Sequence, residues 1–458
     1  MAADAKQLPS VFDPAAFRTF RFLSRELDAH GHVTLRYALD EEISFVERFE
    51  LPIDGPLSER ERERVDGLLS LLHWVAGVSY FKSAAPLEVS CESGAPTPAV
   101  ATLLEALYSE GLGELAYTNA LSELPRPAFP RAQRPTAAAS ERRADPLERI
   151  LVPVGGGKDS AVALEIIRRS GREMSLFSVG NAPPIARTVA AAGLPHLIAR
   201  RHLDPGLAQL NRAGALNGHV PITAIISCVA LITAALGGFD AVAMANERSA
   251  SAGNLSWDGI EVNHQFSKGL SAERLLAAAA AEVGTGVRLF SILRPASELA
   301  IARAFARMQA YHGAFTSCNA IFRIDPELRA TSWCCDCPKC RFVFLALAPF
   351  LSPEQLCEVF GCDLLDDESQ FAGFALLTAT GGHKPFECVG EEQESIAAIR
   401  LLAEDERWNG RAVVRRLIAE VLPQQTPDAG RPETVLALSD EHEVPDALMG
   451  DVRALLGA

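Results

Sequence analysis

The stretch LVPVGGGKDSAVALEII, from Leu151 to Ile167, restricts the fold more than any other part of the chain. Ile150 to Val154 is a short apolar run of the kind that forms a buried strand. Gly155, Gly156 and Gly157 then make a turn, and Ser160 to Arg169 read as a helix with Ala161, Leu164 and Ile167 on one face. A strand, a glycine turn and a helix start leave a nest of backbone N–H groups with no partner, and anions bind such nests. Lys158 adds a point charge and Ser160 a hydroxyl donor, while Asp159 could hold a metal ion that bridges phosphates. This is not a Walker A motif, because Asp159 stands where Ser or Thr would follow Gly157-Lys158, and the dinucleotide pattern GxGxxG is missing as well. The bland alternative is a glycine-rich turn that binds nothing.

The alternation continues downstream. Leu176–Val179, Leu197–Ala199 and Ala241–Ala245 read as strands, and Pro183–Ala192 and Pro221–Leu236 as helices. That order predicts an α/β fold, a parallel sheet with helices on both faces, whose ligands sit at the carboxyl ends of the strands. Gly155–Ser160 and Asn246–Asn254 each follow a strand directly, so both are expected to face one crevice. Around this core, residues 1–123 form an N-terminal domain of unassigned role, in which Leu68, Leu69, Leu71, Leu72, Trp74 and Val75 predict a buried helix. Residues 124–148, rich in Pro, Arg and Ala, read as a linker, and 149–350 as the catalytic domain. Residues 351–458 read as a C-terminal helical region ending in an acidic, Pro-interrupted tail.

Lys plus Arg number 43 against 58 Asp plus Glu, a net charge of -15, and a surface this acidic repels a phosphate backbone. Nucleic acid is therefore not an expected partner, although a local basic pocket for one nucleotide is compatible with the balance. The first residues, MAADAKQLPSVFDP, lack a basic-then-apolar run, so no signal peptide is evident. Val220 to Phe239 is uncharged and has the length of a membrane span. It also carries Thr223, Ser227 and Thr233, a Pro at its start and Gly-Gly at its end, so a buried core helix is the expected reading and no membrane association is expected.

The chain has 10 cysteines, and Cys334, Cys337 and Cys340 follow a C-x2-C-x2-C spacing with Cys318 upstream. Four thiolates suit tetrahedral zinc in a closed, structural site, and Cys335 is left as a spare or rival ligand. Unligated reduced cysteines in a core are the alternative. The run ANERSASAGN gathers Asn246, Glu247, Arg248, Ser249 and Asn254, and VNHQFSKG adds Asn263, His264, Gln265, Ser267 and Lys268. Such amide, imidazole and cation clusters suit an anionic, hydrogen-bonding substrate, where the alternative is a solvated loop. Asn217, Gly218 and His219 lead into the long apolar helix, and for His219 capping or packing stands beside a functional role. Arg294, Ser297 and Glu298 form a weaker group, since Ser297 could simply N-cap the next helix.

The hexapeptide GGGKDS resembles the PP-loop of ATP pyrophosphatases, usually SGGKDS, with Gly155 in place of the first Ser. That family cleaves ATP to AMP and pyrophosphate and holds the leaving pyrophosphate in the loop. The resemblance implies a PP-loop ATP pyrophosphatase core with ATP and Mg2+ at Gly155, Gly156, Gly157, Lys158, Asp159 and Ser160. The four-cysteine arrangement resembles the zinc knot of 7-cyano-7-deazaguanine synthases, themselves PP-loop enzymes, which implies structural zinc at Cys318, Cys334, Cys337 and Cys340. Taken in order, VPVGGGKDS, LNGHVP, NERSAS, VNHQFSK, RPASELAIA and WCCDCPKCRF look like the MurL family, over roughly residues 150 to 345 by motif. Its members are UDP-N-acetylmuramoyl-L-alanyl-L-glutamate epimerases of bacterial peptidoglycan synthesis. The resemblance implies an ATP-dependent, AMP-forming isomerase in the cytoplasm, acting on a dipeptide that a separate L-glutamate-adding ligase supplies.

Adenylation of the α-carboxylate would make the neighbouring proton acidic, and an enolate could then be reprotonated from the other face. Lys158 and Asp159 of the loop, together with His264, Lys268, Glu247 and Arg248, are the catalytic candidates this implies. Two other readings stay open at this point: a PP-loop enzyme of nucleobase modification, and a catalytically silent ATP-binding regulator.

Overall fold

The computed structural model describes residues 8–132 and 147–457, apart from 258, 285, 323–328, 381 and 383. Most of the linker expected over 124–148 therefore lies outside the described residues. In chain order the strands are β1 (Thr19–Leu27), β2 (His32–Leu39), β3 (Ile43–Glu50), β4 (Glu88–Cys91), β5 (Arg149–Pro153) and β6 (Glu173–Val179). They continue with β7 (His196–His202), β8 (Ala241–Met244), β9 (Leu255–Trp257), β10 (Ile260–Val262) and β11 (Arg288–Ser291). Nine of them form one sheet in the order β11-β8-β5-β6-β7-β3-β2-β1-β4, and β9 and β10 pair by themselves.

From β11 across to β7 all neighbours run parallel. The chain fills this half by stepping from β5 outward to β6 and β7, then returning to the other side of β5 for β8 and β11. The connections therefore diverge between β5 and β8, and a crevice opens at the carboxyl ends of strands where connections diverge. The GGGKDS turn leaves β5 and the Asn246–Asn254 run leaves β8, so the topology brings both to that crevice.

Both faces of the parallel half are buried, and the residues divide strictly by alternation. Ile150, Val152, Leu176, Ala241, Ala243 and Phe290 join one core, which includes the helices Lys158–Arg169, Glu298–Phe305, Pro338–Leu347, Glu392–Glu404 and Asp446–Leu456. Leu151, Phe177, Val242, Met244 and Leu289 join the other, with the helices Asp66–Ala76, Pro98–Tyr108, Ile222–Gly237 and Leu270–Glu282. Two buried faces explain the unbroken apolar runs of these strands.

The sheet is mixed rather than wholly parallel, because the N-terminal strands extend it. β3 joins β7 antiparallel, β2 and β1 continue the meander, and β4 returns parallel to β1. The seam between β3 and β7 is marked by charge. Glu47 occupies a core-facing position of β3, fully buried, and accepts a hydrogen bond from Arg201 Nε at 2.5 Å. Burial pushes the Glu47 carboxyl up and Arg201 pulls it back. Glu50 at the same seam meets Arg200 at 3.1 Å and His202 at 3.0 Å. A one-residue slip would turn Glu47 outward and its apolar neighbours with it, so these pairs fix the register.

The long apolar segment is the helix Ile222–Gly237, entered from Pro221 and stopped by Gly238 in the left-handed conformation. It is buried from Thr223 to Ala234 apart from Ile226, between the sheet and the Asp66–Ala76 helix. Among the described residues no helix is long and apolar enough to cross a membrane. The C-terminal tail ends in a packed helix, Asp446–Leu456, which buries Leu448, Met449, Val452 and Leu456 in the core that also holds the Lys158–Arg169 helix. Truncating Leu231, at the centre of the buried apolar helix, tests this packing. Leu231→Ala is expected to lower unfolding free energy by about 2–5 kcal/mol in detergent-free buffer, measured by denaturant titration.

Candidate active site

The glycine turn is shaped by what crowds it. Gly156 has φ +82, and a Cβ there would lie 2.6 Å from the Pro184 carbonyl carbon and 2.7 Å from the Ile185 nitrogen. A side chain on Gly157 would meet Ser317 Oγ at 2.7 Å, so neither position accepts one without movement. Gly155 N–H donates to Ser160 Oγ at 2.8 Å, and the Gly156 carbonyl accepts from Thr316 N–H at 3.0 Å. Gly157 is the N-cap of the Lys158–Arg169 helix, which has no side-chain cap, so its first amides are donors for a ligand.

Behind the turn lies a buried ladder of charge. Lys158 Nζ donates to Asp159 Oδ1 at 2.5 Å and to Glu298 Oε2, and Lys339 Nζ reaches Glu298 Oε1 at 3.5 Å. All three of Lys158, Glu298 and Lys339 are buried. Burial alone would lower the Lys158 ammonium, yet Asp159 and Glu298 hold it well above the ordinary lysine value. Burial alone would raise Glu298, yet Lys158 and Lys339 hold its carboxyl below the usual range. Glu247 is shifted the other way: burial, Glu298 and Asp159 all push its carboxyl up. One oxygen each from Asp159, Glu247 and Glu298 lie within 4.8 Å of one another, and three hard oxygens so placed could hold a divalent cation.

Arg294 ties this region together. Fully buried, it pairs with Glu273 at 2.8 Å and donates to the carbonyls of Glu247, at 2.5 Å, and of Lys268. Ser297 does cap its helix, accepting from Ala300 N–H at 3.0 Å. Glu394, from the helix Glu392–Glu404, accepts from Glu298 N–H at 2.7 Å and from the Ser249 hydroxyl at 2.5 Å. Burial and Glu298 push its carboxyl up to about 7.

The second polar run folds against the first. Asn254 accepts from His264 N–H at 2.9 Å and donates to the Pro385 carbonyl at 2.8 Å. Asn263 bridges Gln265 N–H and the Ala250 carbonyl, and buried Asn246 donates to Ser291 Oγ at 3.1 Å. His264 Nδ1 pairs with Glu114, from the short helix Gly113–Thr118. The His219 ring packs on the His264 ring at 4.2 Å between centroids, and burial followed by His264 and Lys268 lowers His219 to about 3. His219 does not cap the helix that follows it. Lys268 Nζ reaches Gln265 Oε1 at 3.3 Å and Cys388 Sγ at 3.5 Å. Arg248 is placed apart from this group: its guanidinium donates to the carbonyls of Ala437 and Val435, both at 3.1 Å.

Sγ atoms of Cys318, Cys334, Cys337 and Cys340 lie within 4.8 Å of one another and could hold a metal such as zinc. Cys335 is turned out of the group. It has φ +58, and its thiol points to the Phe360 carbonyl at 3.4 Å. Cys337 caps the Pro338–Leu347 helix, its sulfur accepting from Cys340 N–H at 3.4 Å. The knot reaches the crevice at both ends. Thr316 and Ser317, just before Cys318, touch the glycine turn, and Lys339 lies between Cys337 and Cys340.

Lys339, Glu114, Cys388 and Glu394 all join the site without having been picked out in the sequence. Lys339 had a signal, a cation inside the metal-binding spacing. The other three had none, because the fold brings them in from distant segments.

A family model described as the MurL N-terminal domain matches residues 11–292, and one described as the MurL C-terminal domain matches residues 314–431. The protein named UDP-N-acetyl-alpha-D-muramoyl-L-alanyl-L-glutamate epimerase in Micromonospora sp. is 45% identical over 438 residues, covering 93% of this chain and 96% of its own. Proteins of the same name in Xanthomonas oryzae pv. oryzae and Salinispora tropica are 42% and 48% identical, covering 97% and 88% of this chain and 99% and 88% of their own. No solved structure matches the chain.

The charge ladder carries its own test. Glu298→Ala leaves Lys339 without its counter-ion and removes one of two from Lys158, and breaking a buried pair costs about 3–5 kcal/mol. Denaturant unfolding of the variant is expected to show a loss of that size.

Proposed function

The chain belongs to the MurL family, and from that premise we propose that it converts the terminal L-glutamate of UDP-N-acetylmuramoyl-L-alanyl-L-glutamate to D-glutamate, using ATP to adenylate the α-carboxylate. It is an epimerase of peptidoglycan precursor synthesis, working in the cytoplasm on the product of an L-glutamate-adding ligase. The observation that carries the use of ATP is the GGGKDS turn at the divergence of the sheet connections, with uncapped helix amides and a buried lysine beneath it. In this reading the parallel half of the sheet is a PP-loop ATP pyrophosphatase core.

An α-proton beside a carboxylate is hard to remove, because the carbanion would form next to a negative charge. Joining the carboxylate to AMP as a mixed anhydride, with pyrophosphate leaving, removes that charge, and the electrons released from the Cα–H bond move onto the carbonyl oxygen. The amides of Gly156 and Gly157 and the Lys158 ammonium suit the pyrophosphate that leaves, with Ser160 holding the Gly155 N–H and so fixing the turn. Asp159, Glu247 and Glu298 fit Mg2+, which would neutralise phosphate charge during that transfer. Lys268, a half-buried cation of the second polar run held up by the charges of Cys388 and the nearby carboxylates, suits the enolate oxygen. His264, held at its Nδ1 by Glu114, suits proton transfer. Arg248 anchors residues 435–437 beside the site. Return of a proton to the opposite face inverts the centre, and water then releases AMP. Hydrolysis of ATP makes a thermally neutral inversion effectively one-way.

Zinc in the four-cysteine knot would be structural: with all four positions filled by thiolates it has none open for substrate, and its effect on the site is to hold Lys339 against Glu298.

Three measurements check this reading. In deuterated water the D-glutamate product is expected to carry deuterium at Cα only when ATP is present, with AMP and pyrophosphate released. Lys158→Ala is expected to reduce pyrophosphate release by about a hundredfold or more with the fold retained. Exchange without ATP, or normal release by the variant, overturns adenylation at this loop. Metal analysis of the purified protein is expected to find one zinc per chain, lost together with stability on strong chelation.

A further inference from the structure

Cys388 lies in the run KPFECVG, between two helical segments and outside the four-cysteine knot. The fold pins this run across the crevice from three directions. Asn254 Nδ2 donates to the Pro385 carbonyl at 2.8 Å, Lys339 N–H donates to Glu387 Oε2 at 3.2 Å, and Gln265 Nε2 donates to the Val389 carbonyl at 3.4 Å. The result is a partly buried thiol with two cations against it. Lys268 Nζ is 3.5 Å from Cys388 Sγ, and the His264 imidazole hydrogen-bonds the same side chain while Glu114 fixes its Nδ1.

We propose that Cys388 is the catalytic base that takes the α-proton of the activated glutamate, with His264 and Lys268 as its polarising partners. The inference rests on the epimerase reading and adds to it the atom that does the proton transfer. Sγ, as thiolate, forms an S–H bond as the Cα–H bond breaks. The electron pair of that bond moves to the carbonyl oxygen, where the Lys268 ammonium can meet it. A solvent proton delivered to the opposite face of Cα completes inversion, and the Cys388 thiol gives its proton up to solvent, which restores the thiolate.

Electrostatics keeps the thiolate available near neutral pH. Burial would raise the Cys388 thiol, but Lys268, His264 and Lys339 bring it down to about 6. The His264 imidazolium is correspondingly held up to about 9: burial opposes it, and Cys388 and Glu114 outweigh burial. Burial would lower the Lys268 ammonium, but the charges of Cys388, Glu247, Asp159 and Glu298 hold it up, so the thiol and the carboxylates beside the glycine turn act on one ammonium. The surrounding titratable groups are thus Glu114, His219, His264, Lys268, Lys339 and the three carboxylates. A thiolate with a conjugate acid in this range is matched to proton transfer at physiological pH. Three other thiols outside the knot lack this setting: Cys228 and Cys91 are raised by burial, and Cys335 turns to the Phe360 carbonyl.

The test separates activation from proton transfer. Substrate-dependent exchange of labelled pyrophosphate into ATP reads adenylation alone, and deuterium at the glutamate Cα reads proton removal. Cys388→Ser is expected to keep pyrophosphate exchange within about tenfold of the parent and to lose deuterium incorporation by about a hundredfold or more. Deuterium incorporation within threefold of the parent overturns the proposal. A second arm uses the unmodified enzyme and iodoacetamide, with peptide mass spectrometry to follow Cys388. Loss of deuterium incorporation is expected to track alkylation of Cys388, with a rate midpoint near pH 6 that rises in His264→Asn. Full alkylation of Cys388 with undiminished deuterium incorporation, or a midpoint at the ordinary thiol value, also overturns it. If the parent enzyme shows no substrate-dependent pyrophosphate exchange, the adenylation reading fails instead, and the two failures are distinct.

Discussion

The site depends on one buried carboxylate. Glu298 sits between two buried lysines, Lys158 and Lys339, and its own backbone N–H is held by Glu394. Each contact comes from a different part of the chain: Lys158 from the helix after the glycine turn, Lys339 from the cysteine knot, Glu394 from the C-terminal helices. Removing Glu298 takes the ion pair from Lys339 and one of two from Lys158 in a low-dielectric setting, where breaking a pair is costly while the intact pair adds little net stability. Such a ladder is better understood as specifying geometry than as strengthening the fold. It sets where the Lys158 ammonium lies beneath the turn and forces three segments to arrive together.

The N-terminal strands and helices serve the same crevice. They extend the parallel sheet through the β3–β7 seam, where Glu47 meets Arg201, and they bury the long apolar helix on its outer side. Their closest link to chemistry is Glu114, which holds His264 Nδ1. A histidine fixed at one nitrogen has its other nitrogen and ring plane set as well. The orientation of the second polar run is thereby determined partly by a helix that carries no motif of its own.

What could be read from sequence follows the range of the interactions involved. The glycine turn, the α/β alternation, the buried helix over 222–237 and the cysteine spacing are local patterns, each written within a few tens of residues, and the structure has them. The extension of the sheet was not legible, because pairing of β3 with β7 joins residues about 150 positions apart through three registered pairs. The same limit hid Cys388 and Glu394, which reach the crevice only after the C-terminal region folds back. Arg248 shows the converse. Its sequence neighbours Glu247 and Ser249 are buried in the site, but its own side chain leaves the group for carbonyls at 435 and 437, since adjacent residues in a turn point in different directions.

The charge balance of the crevice runs against that of the chain. The protein carries -15 overall, and its substrate class is itself strongly anionic, so the surface as a whole opposes approach. Within the crevice Lys158, Lys268 and Lys339 face Asp159, Glu247 and Glu298. Burial and its acidic neighbours push the Glu247 carboxyl up, which weakens the acidic side of that balance. His264 is matched there by Glu114 and Cys388, so it orders the crevice without changing that balance. Screening in salt confines the unfavourable outer field to about 8 Å, while buried charges are screened far less. An anion that reaches the crevice mouth therefore experiences the inner cations more strongly than the acidic exterior. The acidic surface then limits unspecific binding of polyanions, and selectivity for a small phosphorylated substrate falls to the depth at which the cations are set.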